Sequence, residues 1–246
     1  MTTLDLVAEI EAAAYRSWPA REMVVYDGWQ LRFADGFSRR GNSVYPLGRS
    51  SLDLRHKLVW CRAWYVEHGL DLVIRQTPET EQGLDDLLAA EGFVAEGRTN
   101  VMVADLVAGD VSVEVNAAPS QVWQEGAAAL WGIGTDQAVA WLSIVNRIEL
   151  PAGFAVVGGP NDVDAVGFAV VDGSWLGLFE IIVGERHRRQ GLGERVTRSL
   201  MEWGRRQGAT RSYLQVTEVN ASAIGLYETL GFVHLYSYWY RRALLK

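Results

Sequence analysis

The sequence predicts an α/β (α+β) chain made of two units that follow one plan. Three observations carry that expectation. Segments of strand period alternate with segments of helix period along the whole chain. The two halves match each other at a constant, ungapped offset. One half alone carries a glycine- and arginine-rich stretch, "RHRRQGLGER", between an apolar strand and a helix.

The offset is 139 residues, as from Trp64 to Trp203. It also pairs Gly69 with Gly208, Gln76 with Gln215, Glu79 with Glu218 and Leu87 with Leu226. It lays Gly92-Phe93-Val94 onto Gly231-Phe232-Val233. Glycines end helices in any protein, but a tryptophan and a Gly-Phe-Val triplet in one ungapped run call for a repeat.

The elements follow in order. A helix over about Leu4 to Ser17 is stopped at Pro19. Asp27-Gly28 between two β-rich runs, "EMVVY" and "WQLRF", signals a hairpin. "NSVYPL" reads as a strand. "SSLDLRHKLVWCRAWYVEHG" reads as a helix with serine caps and a terminal glycine. "LDLVIRQ", "EQGLDDLLAAEG" and "RTNVMVADL" follow as strand, helix and strand. The small residues of "VAGDV", Val107–Val111, mark the boundary between a first unit, 1–107, and a second, 111–246. The second restarts with a strand, "VSVEV", then two helices, "APSQVWQEGAAALWG" and "GTDQAVAWLSIVNRIEL". Three strands form a meander, "GFAVVGG", "AVGFAVV" and "WLGLFEIIV", turning at "GGPNDVD" and "DGS". The helix after the glycine loop ends at Gly208. "RSYLQV", "NASAIGLYETLG" and "FVHLYSYWYRR" close the chain as strand, helix and strand.

Composition bounds the function. The chain has 246 residues, 49% hydrophobic and 22% charged, enough to bury a core. Its net charge of −7 argues against a general nucleic-acid binder. The single cysteine, Cys61, makes neither an internal disulfide nor a zinc cluster, so a reducing compartment fits best, and no metal is expected. No apolar run reaches the roughly 18 residues of a membrane span. "MTTLDLVAEI" has early acids and lacks a basic leader. A cytoplasmic protein is the expectation.

The loop chemistry is that of a phosphate site. A helix start offers unpaired N–H groups and a positive dipole end. Gly191 and Gly193 let the backbone come close to a ligand, and Arg186, Arg188 and Arg189 lie just before them. The dinucleotide fingerprint needs a further glycine where Val196 stands, and the Lys-Ser/Thr pair of a triphosphate loop is absent.

"LFEIIVGERHRRQGLGERV" followed by "LQVTEVNASAIGLYETLGF" resembles the GNAT superfamily of acyl-CoA-dependent N-acyltransferases. Arg188, Gly191 and Gly193 fit its loop pattern. Asn220, Ala223, Leu226, Tyr227, Gly231 and Phe232 fit its downstream pattern in register. The resemblance spans about Val111 to Arg242 and implies two GNAT-like units, each a mixed, mostly antiparallel sheet flanked by helices. The first unit would be a degenerate copy without the loop. The resemblance further implies acetyl-CoA as donor, its pantetheine arm along Ile181, Ile182 and Val183. Its pyrophosphate would lie on the backbone of Arg188, Arg189, Gln190, Gly191, Leu192 and Gly193. Glu194 follows at the helix start, an acid facing phosphates yet favoured in a first turn. Asn220 and Ala223 would border the arm or cap the helix. Tyr227 would protonate the departing thiolate.

The general base is open. Relatives resembling ribosomal-protein alanine acetyltransferases carry Glu where Gln215 stands, and an amide is no base. Glu180, inside "LFEIIV", is the preferred substitute, because apolar neighbours raise a carboxyl pKa. An outward-facing Glu180, Glu218 or a water relay are the alternatives. The implied activity is transfer of acetyl to a primary amine by direct attack, since Cys61 lies in the other half. The acceptor is a small-molecule amine or a peptide N-terminus. A non-catalytic acyl-CoA-binding or regulatory module is the rival reading.

Overall fold

The computed structural model describes residues 2–243 apart from Asp110 and Asn161. Asp110 in the expected linker and Asn161 in the expected turn therefore lie outside the described residues. The chain gathers into two compact units. One takes the chain up to Ala8, Trp18–Thr99 and the chain from Tyr236 on; the other takes Glu9–Ser17 and Asn100–Leu235. The crossing runs through a strand at Thr99 and Asn100, upstream of the small-residue stretch at Val107–Val111.

The first element, α1 (Thr3–Arg16), contributes its start to the first unit and its end to the second. The first unit continues with β1 (Glu22–Tyr26), β2 (Trp29–Phe33), β3 (Val44–Pro46), α2 (Leu54–Glu67), β4 (Leu72–Gln76) and α3 (Leu84–Ala90). The strand β5 (Val94–Asp105) leads out of it. At the hairpin tip Asp27 and Gly28 both have positive φ, 45° and 79°, with Tyr26 facing Trp29. That is the turn an Asp-Gly pair favours. β1, β2 and β3 pair antiparallel, and β3 lies parallel to β4. Leu31, Val44, Cys61, Tyr65, Ile74 and Leu88 form the heart of this unit's core. The helix α2 is capped by Asp53, whose side chain accepts from His56 N, rather than by the serines before it.

The second unit begins with β6 (Val115–Asn116), α4 (Gln121–Trp131), α5 (Thr135–Val145), β7 (Ala152–Gly159), β8 (Asp162–Asp172) and β9 (Trp175–Val183). A 3-10 turn (Glu185–His187), α6 (Leu192–Arg206), β10 (Arg211–Thr217) and α7 (Ala221–Thr229) follow. The last described element is β11 (Val233–Ala243), which belongs to the first unit from Tyr236 on and pairs there antiparallel with β4 from Trp239 to Ala243. β6, β7, β8 and β9 pair antiparallel in turn, and β9 lies parallel to β10. The architecture is thus mixed α+β with mostly antiparallel pairing and flanking helices, as expected.

Several expected elements are shorter, two of them for reasons the structure shows. "VSVEV" leaves only Val115–Asn116 as strand, because the N–H groups of Ser112 and Val113 donate to Ser199 Oγ (3.2 and 3.0 Å) instead of to a ladder. α5 stops at Val145, where the next N–H groups tighten onto nearer carbonyls, as Arg147 does on Ile144 O.

The sheet of the second unit is covered on both faces. Leu192, Val196 and Leu200 recur every four residues on α6 and are buried against Ala165, Ala169 and Leu178. On the other face Trp123 of α4 donates to Gly167 O (3.1 Å) and packs on Phe154 and Phe168. This rigid double cover fixes where β9 ends and α6 begins.

Candidate active site

Two local features open the sheet of the second unit. The first is a bulge in β9. Val166 faces Ile182 and Phe168 faces Phe179, so Glu180 and Ile181 share Gly167 as their counterpart. Glu180 takes φ 50°, a left-handed conformation that costs a non-glycine residue about 1–2 kcal/mol. Gly167 has no room for a side chain: a Cβ there would meet Ile181 Cδ1 at 2.6 Å and Val196 Cγ1 at 2.8 Å. The second feature is a parting of strands. The parallel register of β9 and β10 runs from Trp175–Arg211 to Leu178–Leu214 and ends there. β9 nevertheless continues to Val183 and β10 to Thr217. Beyond Leu178 the β10-facing edge of β9 is therefore open to a ligand that pairs like a peptide.

At the mouth of this opening lies the glycine loop. Gly191 caps α6 with φ 77°, and Arg189 is also left-handed at 59°. None of the described hydrogen bonds uses the backbone N–H of Arg189, Gln190, Gly191, Leu192 or Gly193. These donors, at the positive end of α6, form an anion cradle. A Cβ at Gly193 would stand 3.1 Å from Leu226 Cδ2 and 3.6 Å from Val183 Cγ2, so glycine lets α7 and β9 close on the loop.

Strand opening, loop and α7 enclose a cavity of about 920 Å³. Ile181, Ile182, Val183, Arg188, Arg189, Gly191, Leu192, Gly193, Glu194, Asn220, Ala223 and Tyr227 line it, all residues singled out from the sequence. Gln190 does not; its amide donates to Arg186 O at 3.2 Å on the surface. Glu180 does not line it either. Glu185, His187, Ser222 and Leu226 line it without having been expected in the site. Leu226 was signalled by the downstream motif; the other three lie within two residues of expected ones.

Local chemistry separates the roles. Glu194 is held by Arg198 at 2.8 Å, one helical turn on, which turns an acid at a phosphate cradle into half of a surface ion pair. Asn220 caps α7, its Oδ1 accepting from Ala223 N at 3.2 Å, and also faces the cavity. Tyr227 is 8% exposed and packs edge-on against Phe232. Burial first, and the negative charge of Glu180 second, push its phenol up to about 12. A neutral phenol that opens on the cavity is a proton donor across the physiological range.

Among the described residues no helix is long and apolar enough to cross a membrane. A family model described as "Probable histone acetyltransferase Rv0428c C-terminal" matches residues 6–241. The chain is 28% identical over 253 residues to "Uncharacterized N-acetyltransferase YobR" of Bacillus subtilis, covering 97% of this chain and 99% of that one. It is 27% identical over 241 residues to "Probable histone acetyltransferase Rv0428c" of Mycobacterium tuberculosis, covering 92% and 70%. In fold it is similar to a GCN5-related N-acetyltransferase from Kribbella flavida, with a TM-score of 0.68, 16% identity, and 98% and 96% of the two chains covered.

Proposed function

The chain belongs to the family of the probable histone acetyltransferase Rv0428c C-terminal region, a GNAT-type N-acetyltransferase family, and on that premise we propose that its second unit transfers acetyl from acetyl-CoA to a primary amine by direct attack. One observation carries the reading: the cavity joins an open strand edge, an unsatisfied helix start and a buried phenol. Acetyl-CoA supplies an activated thioester carbonyl. The edge from Ile181 to Val183 suits the amide-bearing pantetheine arm, and the N–H groups from Arg188 to Gly193 suit the pyrophosphate. The glycines at 191 and 193 are what let phosphates approach backbone.

Tyr227 gives its proton to the departing thiolate. Tyr227 lines the cavity, and its raised pKa keeps it protonated. The amine's proton leaves toward the Glu180 side, either to that carboxylate or through water, since Gln215 cannot accept it. The acceptor is a small-molecule amine or a peptide N-terminus. An assay of free thiol release across a panel of both tests this. Thiol release with at least one amine supports it; tight CoA binding without thiol release for any amine leaves a non-catalytic acyl-CoA-binding module.

The first unit is a degenerate copy of the same plan. Under the 139-residue offset, β4, α3 and β5 correspond to β10, α7 and β11, whose ranges follow one another closely. Its loop at 47–53 has no counterpart of Gly191 and Gly193, and it supports the fold rather than binding CoA.

A further inference from the structure

At the tip of the β7–β8 hairpin the register slips. Val157 faces Ala165 and Gly158 faces Val163, so Asp164 has no counterpart on β7. Gly158 makes this possible with φ 104°; a Cβ there would collide with the carbonyl oxygen of Asp162 and the amide of Asp164. Val163 is turned toward α4, where its side chain fills the space above Gly126. Asp162 and Asp164 flank it on the chain. The extra residue is then used to fasten the end of β9, because Asp164 O accepts from Gly184 N at 2.8 Å. From Gly184 the 3-10 turn brings His187 Nε2 to 3.4 Å from Asp164 Oδ1.

The result is a convergence of three ligating side chains from two elements. Asp162, Asp164 and His187 each present one ligand atom within 4.8 Å of the others. The Asp164 and His187 side chains are 27% and 30% exposed, so they are held by packing yet reached by water. Among the described ion pairs, one joins Asp164 to His187, an ion pair only when the imidazole is protonated. His187 also lines the cavity below the glycine loop. A pair of carboxylates beside a phosphate cradle opposes the ligand's charge; a cation between them reverses that sign.

We propose that Asp162, Asp164 and His187 form a binding site for a divalent transition-metal cation, and that the bound metal holds the turn leading into the phosphate loop. Two carboxylates and an imidazole suit zinc, cobalt or manganese, and three protein ligands leave positions for water. The metal site stands independently of the acetyl-CoA reading; the effect on CoA affinity rests on it.

Cobalt(II) is the probe, added alone to chelator-stripped full-length protein. Visible d–d absorption should grow to an end point at one equivalent and be displaced by zinc. His187→Ala and Asp164→Asn should each remove it while keeping the wild-type melting profile. CoA titrated calorimetrically with and without the metal should then bind about 5-fold or more tighter with it, the lower range of ordinary coupling between sites. Absence of the band, or a band unchanged in both variants, overturns the site. Equal CoA affinity with and without metal overturns its hold on the loop. A protein that gives the cobalt band but never binds CoA upholds the site and sinks the acetyl-CoA reading.

Discussion

The segment before α2 and the segment before α6 both feed a helix start whose first N–H groups need acceptors. In the first, Asp53 caps the helix itself and the donors of the loop just before it are met from within. The Asp27 carboxylate, at the tip of the β1–β2 hairpin, accepts from Ser51 N, Leu52 N and the hydroxyls of Ser50 and Ser51, the last at 2.5 Å. Those hydrogen bonds hold its pKa far below the usual carboxylate range. The buried Lys57 ammonium stands 3.2 Å from it. In the second segment, among the described hydrogen bonds, no carboxylate accepts from the backbone N–H groups of Arg189 to Gly193, which stay open. On the proposed reading, the comparison separates a loop whose donors are filled by the chain's own carboxylate from one whose donors are left for a ligand.

The largest effect should come from filling the open cradle. Gly191→Glu with Gly193→Glu should abolish CoA binding in calorimetry, because position 191 needs a left-handed backbone and position 193 is already crowded by Leu226. Undiminished binding would remove the loop from the site. Next, Tyr227→Phe should lower kcat about 10²–10⁴-fold with little change in acetyl-CoA affinity, the range for a lost general acid. A Phe variant with wild-type kcat would make Tyr227 a packing residue. The phenol also carries a stability term. Its pKa is raised from 10 to about 12, so this share of stability is complete below pH 10 and is lost as pH climbs toward 12.

Emptying the filled loop gives a smaller effect of opposite kind. Asp27→Ala should lower the melting temperature, and inorganic phosphate should raise the melting temperature of the variant by more than that of the wild type, in which only the loop before α6 is open. Phosphate acting equally on both would deny that the two loops share a design. The smallest effect is expected at Glu180. Glu180→Gln removes a charge near Tyr227, so the phenol should ionise at lower pH, followed by phenolate absorbance. If Glu180 is also the base, the acidic limb of the kcat/KM profile flattens. An acidic limb left unchanged in Glu180→Gln would favour the water relay.

What the sequence disclosed was local chemistry. Asp27-Gly28 reads as a hairpin because two left-handed residues are needed side by side. Gly191 reads as a helix start before an anion for a similar reason. Twelve of the fourteen residues named as a site line one cavity. What escaped was set at long range. Nothing in "LFEIIV" announces that Glu180 takes a left-handed φ, since the bulge appears only in the pairing with Gly167 on the neighbouring strand β8. The strand expected at "VSVEV" fails because Ser199, far along the chain, captures its amides. The serines before α2 look like caps, yet they serve Asp27. The crossing between units inside β5 depends on which strand becomes a neighbour, and a strand's own residues do not specify that.

The central claim is that one of two similarly placed loops is a CoA site and the other is not. Isothermal titration of full-length protein with CoA tests it most directly. The account predicts one site per chain, lost in the Gly191→Glu, Gly193→Glu variant and untouched by Asp27→Ala. Two equivalent sites per chain, or a single site that survives the double substitution, would contradict it.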